Sequence, residues 1–431
     1  MAAIMTRILK LSSDKLNSGA AGLNKVSLGL IPNLGQFVLL IGVNGLVGAL
    51  VGQERSLVPL LGSQVFGVRS ATSGLAFVGA FGLTKAFANL AAGAAADRFG
   101  RKPVLVVGWL LALPVPLAMM LAPSWGWVVA ANLLLGVSQG LCWSSTVIMK
   151  IDLAGPRRRG LAAGLNEFAG YLAVALSAAA SGFIAARYGL RPQPFFLGLA
   201  FAGLGLGLST LVVRETRAHA RFESNGGATL PFSKVWRLGS YQDRRLATLS
   251  RTGLINNAND ALAWGLLPVL FLHHGLDTAT IGFIAGLYPA TWAVGQLMTG
   301  PLSDRYGRRP IIAAGMWLQA IALVWFVIGT GFAAWSSAAI LLGVGTALVY
   351  PTLLAAVGDH SGPSWRAGAT GVYRFWRDAG YLVGALVAGV TADLAGIPAA
   401  IGLVAVVTAL AGLDSWINLA AHQSSTPRLV K

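Results

Sequence analysis

Apolar runs of about twenty residues recur along the whole 431-residue chain. An α-helix needs roughly 20 mostly apolar residues to cross the hydrocarbon core of a bilayer. Because lipid offers no hydrogen bonds to the backbone, runs of this length indicate helices. The sequence predicts twelve membrane spans, at 35–57, 70–95, 104–122, 126–148, 161–184, 194–213, 249–272, 279–301, 310–329, 335–357, 367–391 and 397–418.

The composition excludes several classes of protein. Charged residues make up 11% of the chain, whereas soluble proteins carry about 25%, so a soluble enzyme is excluded. The net charge of +17 is spread over short segments between the apolar runs. We therefore predict a lipid bilayer as the partner of this surface, and no nucleic acid. The single cysteine, Cys142, allows no intramolecular disulfide, and no cofactor or metal ion is predicted.

The basic residues predict the orientation in the membrane. Cytoplasmic loops carry an excess of lysine and arginine. The even-numbered loops are rich in these residues and the odd-numbered loops are poor in them, so both termini are predicted to be cytoplasmic. The basic start of the chain does not resemble a signal peptide, and we expect a multi-pass protein of a bacterial inner (cytoplasmic) membrane. The basic loop residues include Arg98, Arg101, Lys102, Arg157, Arg158, Arg159, Arg305, Arg308, Arg309 and Arg366.

One long hydrophilic stretch, 214–247, separates two groups of six spans. It predicts three parts: an N-terminal bundle with its basic tail at 1–213, a cytoplasmic linker at 214–247, and a C-terminal bundle at 248–431. Within the linker, the segment FSKVWRL is predicted to form a short amphipathic helix on the membrane face.

The two groups of spans repeat each other. Gly93–Pro103, after the second span, matches Gly300–Pro310, after the eighth, with an offset of 207 residues. Arg159–Phe168 matches Arg366–Phe375 with the same offset. The fifth span therefore mirrors the eleventh, as the second mirrors the eighth.

The repeated pattern G-x-x-x-D-R-x-G-R-[KR] resembles the loop motif of the major facilitator superfamily. The resemblance covers essentially the whole chain. It implies an all-α fold of twelve helices in two pseudo-symmetric bundles, monomeric transport by alternating access, and charged loops that latch one conformational state. The alternative is that the loop charges only set topology and anchor helix ends. The gating-loop residues are Gly93, Asp97, Arg98, Gly100, Arg101, Gly300, Asp304, Arg305, Gly307 and Arg308. We expect close packing at Gly93 and Gly300, positive φ at Gly100 and Gly307, and a helix N-terminus or an arginine of the other half beside Asp97 and Asp304.

Two positions depart from the family pattern. Many proton-coupled members carry an arginine in the fourth span, where this chain has Asn132. Many drug/proton antiporters carry a Gly-Pro pair in the fifth span, which here contains no proline. Both differences argue against a typical drug exporter.

Ionisable residues at membrane depth are candidates for function, because burying a charge in lipid is costly. Each has a structural alternative. Glu54 and Arg55 could mark the outer interface, Lys85 could snorkel to the cytoplasmic side, and Asp260 with its asparagines could form a packing network. The candidates for substrate contact or proton coupling in the first ten spans are Glu54, Arg55, Lys85, Asn132, Glu167, Asn256, Asn257 and Asp260.

The eleventh span carries the densest charge. Arg374, Arg377 and Asp378 share one broad helix face. Asp378 can offset one guanidinium, which leaves about one positive charge to hold a carboxylate or phosphate. The alternative is a structural ion-pair network with Glu167 and the loop aspartates.

These features predict a secondary active transporter and no enzyme. The chain has no G-x-x-x-x-G-K-[ST] motif for nucleotide binding, so we expect protons to supply the energy through Asp260, Glu54 or Glu167. The predicted substrate is an anionic or zwitterionic small molecule held by Arg374, Arg377 or Lys85. Two alternatives remain open: a multidrug antiporter that exports lipophilic cations, and a receptor or assembly factor that transports nothing.

Overall fold

The computed structural model describes residues 29–154, 159–219, 230–362 and 364–419. The predicted basic tail lies outside them. Across these ranges the chain is helical and contains no strand, as an all-α fold requires. Each predicted span coincides with one helix, or one pair of helical segments: α1 (Leu34–Leu60), α2 (Ala71–Phe99), α3 (Arg101–Ala112 and Pro114–Leu121), α4 (Trp125–Ala154), α5 (Arg159–Tyr188), α6 (Phe195–Leu211), α7 (Arg244–Gly265 and Leu267–His273), α8 (Thr278–Tyr306), α9 (Arg308–Ile328), α10 (Gly331–Asp359), α11 (Arg366–Ala395) and α12 (Ile397–Asn418).

Ten of the helices in the described ranges are long and apolar enough to cross a membrane. The other two are α6, which is apolar but only 17 residues long, and α7, which is broken at Leu266. Proline explains this break and the one in α3, since Pro114 is the first and Pro268 the second residue of a new helical segment and neither has an N–H for the preceding turn.

Several helices extend well beyond the predicted spans. The fourth span was predicted to end at residue 148, but α4 continues to Ala154. Such ends carry charges that face other protein segments rather than lipid, so hydropathy alone does not reveal them.

The two groups of helices pack in the same way. In the first, α1 packs on α5 and α6, α2 on α4, and α3 on α4 and α6. In the second, α7 packs on α11 and α12, α8 on α10, and α9 on α10 and α12. The groups meet along two long contacts, α2 with α11 and α5 with α8, which the internal repeat relates to each other.

The linker is tied to the start of α11. The predicted amphipathic segment is a helix, Phe232–Arg237. Its Trp236 ring lies 5.0 Å from Phe375 and 5.9 Å from Trp376, measured between ring centroids. The Trp376 indole donates a hydrogen bond to Ser240 Oγ at 2.9 Å. Residues 220–229 lie outside the described ranges.

Helices α1 and α5 touch through their backbones at a glycine. A Cβ added to Gly52 would lie 2.2 Å from the carbonyl oxygen of Val174 and 2.7 Å from its Cα. No flexible side chain can yield there, and overpacking of this kind costs about 1–3 kcal/mol. We expect Gly52→Ala to lower the melting temperature of the purified protein by several degrees in a fluorescence unfolding scan. Gly42→Ala in the same helix is the control, because no atom lies within 4 Å of its added Cβ; equal melting temperatures would contradict the contact.

Candidate functional site

A single carboxylate joins the two groups of helices near the middle of their contact. Asp378 on α11 is buried and accepts hydrogen bonds from the amides of Asn89 on α2 and Asn257 on α7, the latter at 3.3 Å. Arg377 Nη1 lies 3.3 Å and Lys85 Nζ 3.7 Å from the same Oδ1 atom. One negative charge therefore serves two buried cations, one from each group.

Arg377 connects this carboxylate to a set of aromatic rings. Its Nη2 donates to the hydroxyl of Tyr171 on α5 at 3.1 Å, and its guanidinium carbon lies 4.1 Å from the ring centre of Tyr350 on α10. Tyr171 in turn stacks on Trp292 of α8 at 3.6 Å. The arginine thus contacts both long helix–helix junctions.

Asp260 on α7 is fully buried and faces two tyrosines. The Tyr288 hydroxyl donates to its Oδ1, and the Tyr381 hydroxyl donates to Oδ2 at 3.4 Å. Tyr288 also shares a hydrogen bond with the Thr346 hydroxyl at 3.2 Å. The carboxylate is therefore bonded through neutral groups from α8 and α11 and has no direct ion pair among the described residues.

Arg55 on α1 lies in a cage of aromatic rings and is only 2% exposed. Its guanidinium carbon is 4.2 Å from the ring centre of Phe81 on α2, 4.8 Å from Trp264 on α7 and 5.6 Å from Tyr381 on α11. None of its three guanidinium nitrogens has a hydrogen-bond partner in the described part of the chain. The Arg55 side chain therefore lies against protein from both halves rather than on an exposed surface.

Its neighbour Glu54 is also buried, at 1% exposed. Asn132 on α4 lies beside it, and neither carboxylate oxygen of Glu54 has a hydrogen-bond partner within the described ranges. Glu54 and Arg55 form no ion pair with each other, as expected for adjacent residues of a helix.

A second buried network lies between α4 and α5. Glu167 Oε1 accepts hydrogen bonds from the Trp143 indole at 2.8 Å and from Asn166 Nδ2 at 3.3 Å. Lys150 on α4 is fully buried, and its Nζ donates to the Leu40 carbonyl at 3.0 Å. Lys150 is not among the predicted candidates because the fourth span was predicted to end at residue 148, six residues before the end of α4.

Hydrogen bonds to Asp393 form an outer seal between the two groups of helices, at the end that the positive-inside rule places outside the cell. Asp393 of α11 accepts hydrogen bonds from Ser70 Oγ at 2.8 Å and from the backbone N–H groups of Ala71 and Thr72 at 2.5 and 3.0 Å. An anion at the N-terminus of α2 is favourable, because the helix dipole and the free N–H groups both attract it.

The family model of the Major Facilitator Superfamily matches residues 33–245 and 249–430. The chain belongs to the Major Facilitator Superfamily. Like the rest of that superfamily it is a multi-pass membrane transporter rather than an enzyme.

Individual relatives of this transporter are distant. It is 30% identical to the inner membrane transport protein YnfM of Escherichia coli over 131 residues, which are 30% of this chain and 31% of that protein. It is 26% identical to the uncharacterised transporter YddS of Bacillus subtilis over 77% of either chain. The fold resembles that of the nucleoside transporter NupG, with a TM-score of 0.69 and 13% identity, over 90% of this chain and all of that one.

The first gating loop of the transporter forms a cluster inside its own half. Arg101 Nη1 lies 3.0 Å from Asp97, and Arg101 Nε lies 3.1 Å from Asp152 at the end of α4. Glu215 accepts the backbone N–H of Arg101 and Lys102, each at 3.0 Å. The carboxylate that meets a helix N-terminus is therefore Glu215, and the prediction that Asp97 would do so is wrong.

The second loop has the same arrangement. Arg308 lies 2.6 Å from Asp304 and 3.0 Å from Asp359 at the end of α10. Asp152 and Asp359 are separated by the repeat offset of 207 residues, so the repeat could have revealed both. None of these ion pairs crosses to the other half.

The glycines of the two gating loops, and the arginines Arg98 and Arg305, agree only in part with the predictions. Gly100 and Gly307 have positive φ, 103° and 87°, as predicted. Close packing at Gly93 and Gly300 was wrong, because no atom lies within 4 Å of a Cβ added at either position. The guanidinium carbons of Arg98 and Arg305 lie 5.2 and 5.4 Å from the ring centres of the aromatic residues that follow them.

Two sequence candidates lie apart from the central cluster. Asn256 accepts a hydrogen bond from Gln319 Nε2 at 3.0 Å, and Gln319 Oε1 accepts one from Asn259 at 2.9 Å, so Asn256 belongs to a packing network of α7 with α9. Arg374 forms no ion pair with Asp378 among the described residues. Asp378 offsets Arg377 and Lys85 instead, since tertiary contacts outweigh the spacing of residues along one helix.

Proposed function

We propose that this transporter is a monomeric, proton-coupled secondary carrier of the bacterial inner membrane, and that it moves an anionic or zwitterionic small molecule. The observation that carries the proposal is the shared buried carboxylate, where Lys85 of one half and Arg377 of the other compete for Asp378. Because a buried cation requires a partner, any motion that separates the halves must supply a new anion to one of them.

Alternating access would occur between two halves, 1–213 and 248–431, joined by the linker 214–247. The repeated packing of the helices and the two related junctions support this division. In this state the outer ends are held by Asp393. Rocking about a site near mid-membrane is the general mode of such repeat-built carriers.

The charges and rings of the interface favour an anionic substrate. Lys85 and Arg377 share one carboxylate, and Arg55 has no anionic partner within hydrogen-bond distance in the described ranges. A substrate carboxylate or phosphate would supply the missing negative charge, and arginine binds such groups in a bidentate way.

Asp260 is our candidate for proton coupling. Its bonds come from tyrosine hydroxyls on α8 and α11, and a carboxyl group can exchange such bonds when it gains a proton. Glu54 and Glu167 each have a carboxylate oxygen without a partner within the described ranges and are secondary candidates.

Reconstituted transport tests the substrate class. We would find ligands by a thermal-shift screen of the purified protein against anionic, zwitterionic and cationic compounds, then measure uptake of the best into proteoliposomes. We expect Arg377→Gln and Lys85→Gln to reduce uptake at least about 10-fold, as loss of a charge-assisted contact predicts. Arg191→Gln is the control, since Arg191 donates to the Ala122 carbonyl far from the interface. Full transport by both folded variants would contradict the proposal.

Export of lipophilic cations is the second candidate. The aromatic rings around Arg55 and Arg377 favour it, and so does 38% identity over 63 residues to the Multidrug resistance protein D of Escherichia coli, which covers 16% of that protein. Resistance profiling of an overexpressing strain separates the two, because only this candidate predicts raised tolerance to cationic drugs.

The outer seal gives a test of alternating access. We expect Asp393→Ala to increase labelling of a cysteine introduced at Leu75, a buried residue of α2 that faces α7, by a membrane-impermeant maleimide. Cys142 is buried and adds little background. Asp277→Ala is the control, because Asp277 caps its own helix α8; equal labelling in the two variants would count against the seal.

A further inference from the structure

Arg55 is the strongest unassigned feature of the interface. A buried charged group without hydrogen bonds is costly, and such groups normally find a partner or lose their charge. An arginine guanidinium, unlike a lysine ammonium, is effectively always protonated in proteins. The three aromatic rings stabilise the guanidinium by cation–π attraction, yet every one of its five N–H groups is left without an acceptor among the described residues.

The geometry leaves the guanidinium free for one kind of ligand. Three ring centres lie within 5.6 Å of the guanidinium carbon, whereas the five N–H donors lie in the plane of the guanidinium and point outward. A carboxylate binds this edge through two parallel hydrogen bonds. The indole N–H of Trp264, whose ring is one of the three, is also buried and without an acceptor within the described ranges.

We propose that Arg55 and Trp264 bind the carboxylate of the substrate, and that the rest of this substrate is a flat apolar group. The inference rests on the proposed function and names its ligand. Arg55 comes from α1 and Trp264 from α7, so a bound carboxylate bridges the two halves.

The aromatic side chains around Arg55 favour a ligand whose other part is apolar. Phe81 and Tyr381 flank the guanidinium, and Tyr381 stacks against Trp264 with their ring planes 18° apart. Beyond Trp264 lies a small crevice between α7, α8, α9 and α10 with apolar walls, formed by Leu267, Phe271, Ile284, Phe326 and Leu342. The crevice itself, at about 10 Å³, is too small for a ring or a hydrocarbon chain in this state, so these apolar walls would contact the ligand only once the two halves open.

Neither of the two nearest carboxylates accepts a hydrogen bond from Arg55 among the described residues. Glu54 points toward Asn132 within the first half, and Asp260 is bonded to Tyr288 and Tyr381. The N–H donors of Arg55 are therefore available to one carboxylate, which distinguishes this site from the Asp378 cluster, where Lys85 and Arg377 already have a partner.

Binding of matched probes to the full-length purified protein tests the inference. The probes are benzoate, phenylacetate and hexanoate, with benzamide as the uncharged counterpart and benzylamine as the cationic one. We expect carboxylates to bind and benzamide to bind on the order of 10- to 100-fold more weakly, as loss of a charge-assisted hydrogen-bonded contact predicts. Arg55→Gln should weaken benzoate binding by a similar factor, and Arg55→Lys by less, because lysine keeps the charge but not the fork.

Trp264→Phe keeps a ring and removes the N–H, so we expect a several-fold loss of benzoate affinity. Its matched control is Trp109→Phe, because Trp109 is also buried with an N–H that has no acceptor among the described residues, but packs against Gly205 within the first half. If the Arg55 variants do not fold, the comparison of Trp264→Phe with Trp109→Phe still tests the inference.

The outcomes separate this inference from the proposed function. If carboxylates bind and neither Arg55→Gln nor Trp264→Phe weakens them, the inference is wrong; the proposed function then survives if Arg377→Gln abolishes binding. If no anion binds the wild-type protein and benzylamine does, both are overturned in favour of cation export.

Discussion

Replacing Asp378 with asparagine will destabilise the folded transporter by about 3–5 kcal/mol, the cost of removing one partner of a buried ion pair. The substitution keeps the size of the side chain and removes its charge. Lys85 and Arg377 are then buried with no anion between them, and Asn89 and Asn257 lose a charged acceptor. The effect is larger than for an exposed ion pair, because both cations are buried and depend on the same carboxylate.

Unfolding in mixed detergent micelles measures this free energy. The control is Asp414→Asn, which breaks the Arg251–Asp414 pair at 3.0 Å. That pair is partly exposed, so we expect a loss of no more than about 1 kcal/mol. Adding Lys85→Gln to the Asp378→Asn variant should recover part of the loss, since one uncompensated cation is removed. Equal stability of the two single variants would show that Asp378 is not the shared partner.

Much of the fold was predictable from the sequence for a physical reason. Lipid leaves the backbone no option but an internally bonded helix, so each apolar run predicted a helix without knowledge of its neighbours. The repeat then related the second span to the eighth and the fifth to the eleventh, and the helix packing follows the same relation. The exceptions were helix ends such as Ala154, where charges face protein rather than lipid.

The pairing of charged side chains was not predictable to the same degree. Spacing along α11 allowed either Arg374 or Arg377 to pair with Asp378, but it gave no sign that Lys85 approaches the same carboxylate from α2. The aromatic cage of Arg55 draws rings from three different helices. Contacts of this kind depend on how helices rotate against each other, which periodicity within one helix does not define.

We expect Asp260→Asn to abolish proton-driven accumulation while leaving substrate exchange intact. Asparagine has the shape of the protonated acid and can keep hydrogen bonds to Tyr288 and Tyr381, so the binding site is preserved. A proton-coupled cycle requires a group that changes its charge. Across a pH step of one unit, one coupled proton supplies about 1.4 kcal/mol, a tenfold concentration ratio, and this ratio should fall to about one in the variant.

Proteoliposomes loaded with substrate separate the two activities, because exchange of labelled for unlabelled substrate needs no net proton movement. Asp260→Glu is the matched control: it keeps a titratable group, so part of the tenfold ratio should remain. If Asp260→Asn keeps the full ratio while Glu54→Gln reduces it to one, the coupling proton binds at Glu54. The tyrosine-bonded carboxylate of Asp260 would then serve to hold α7 against α8 and α11.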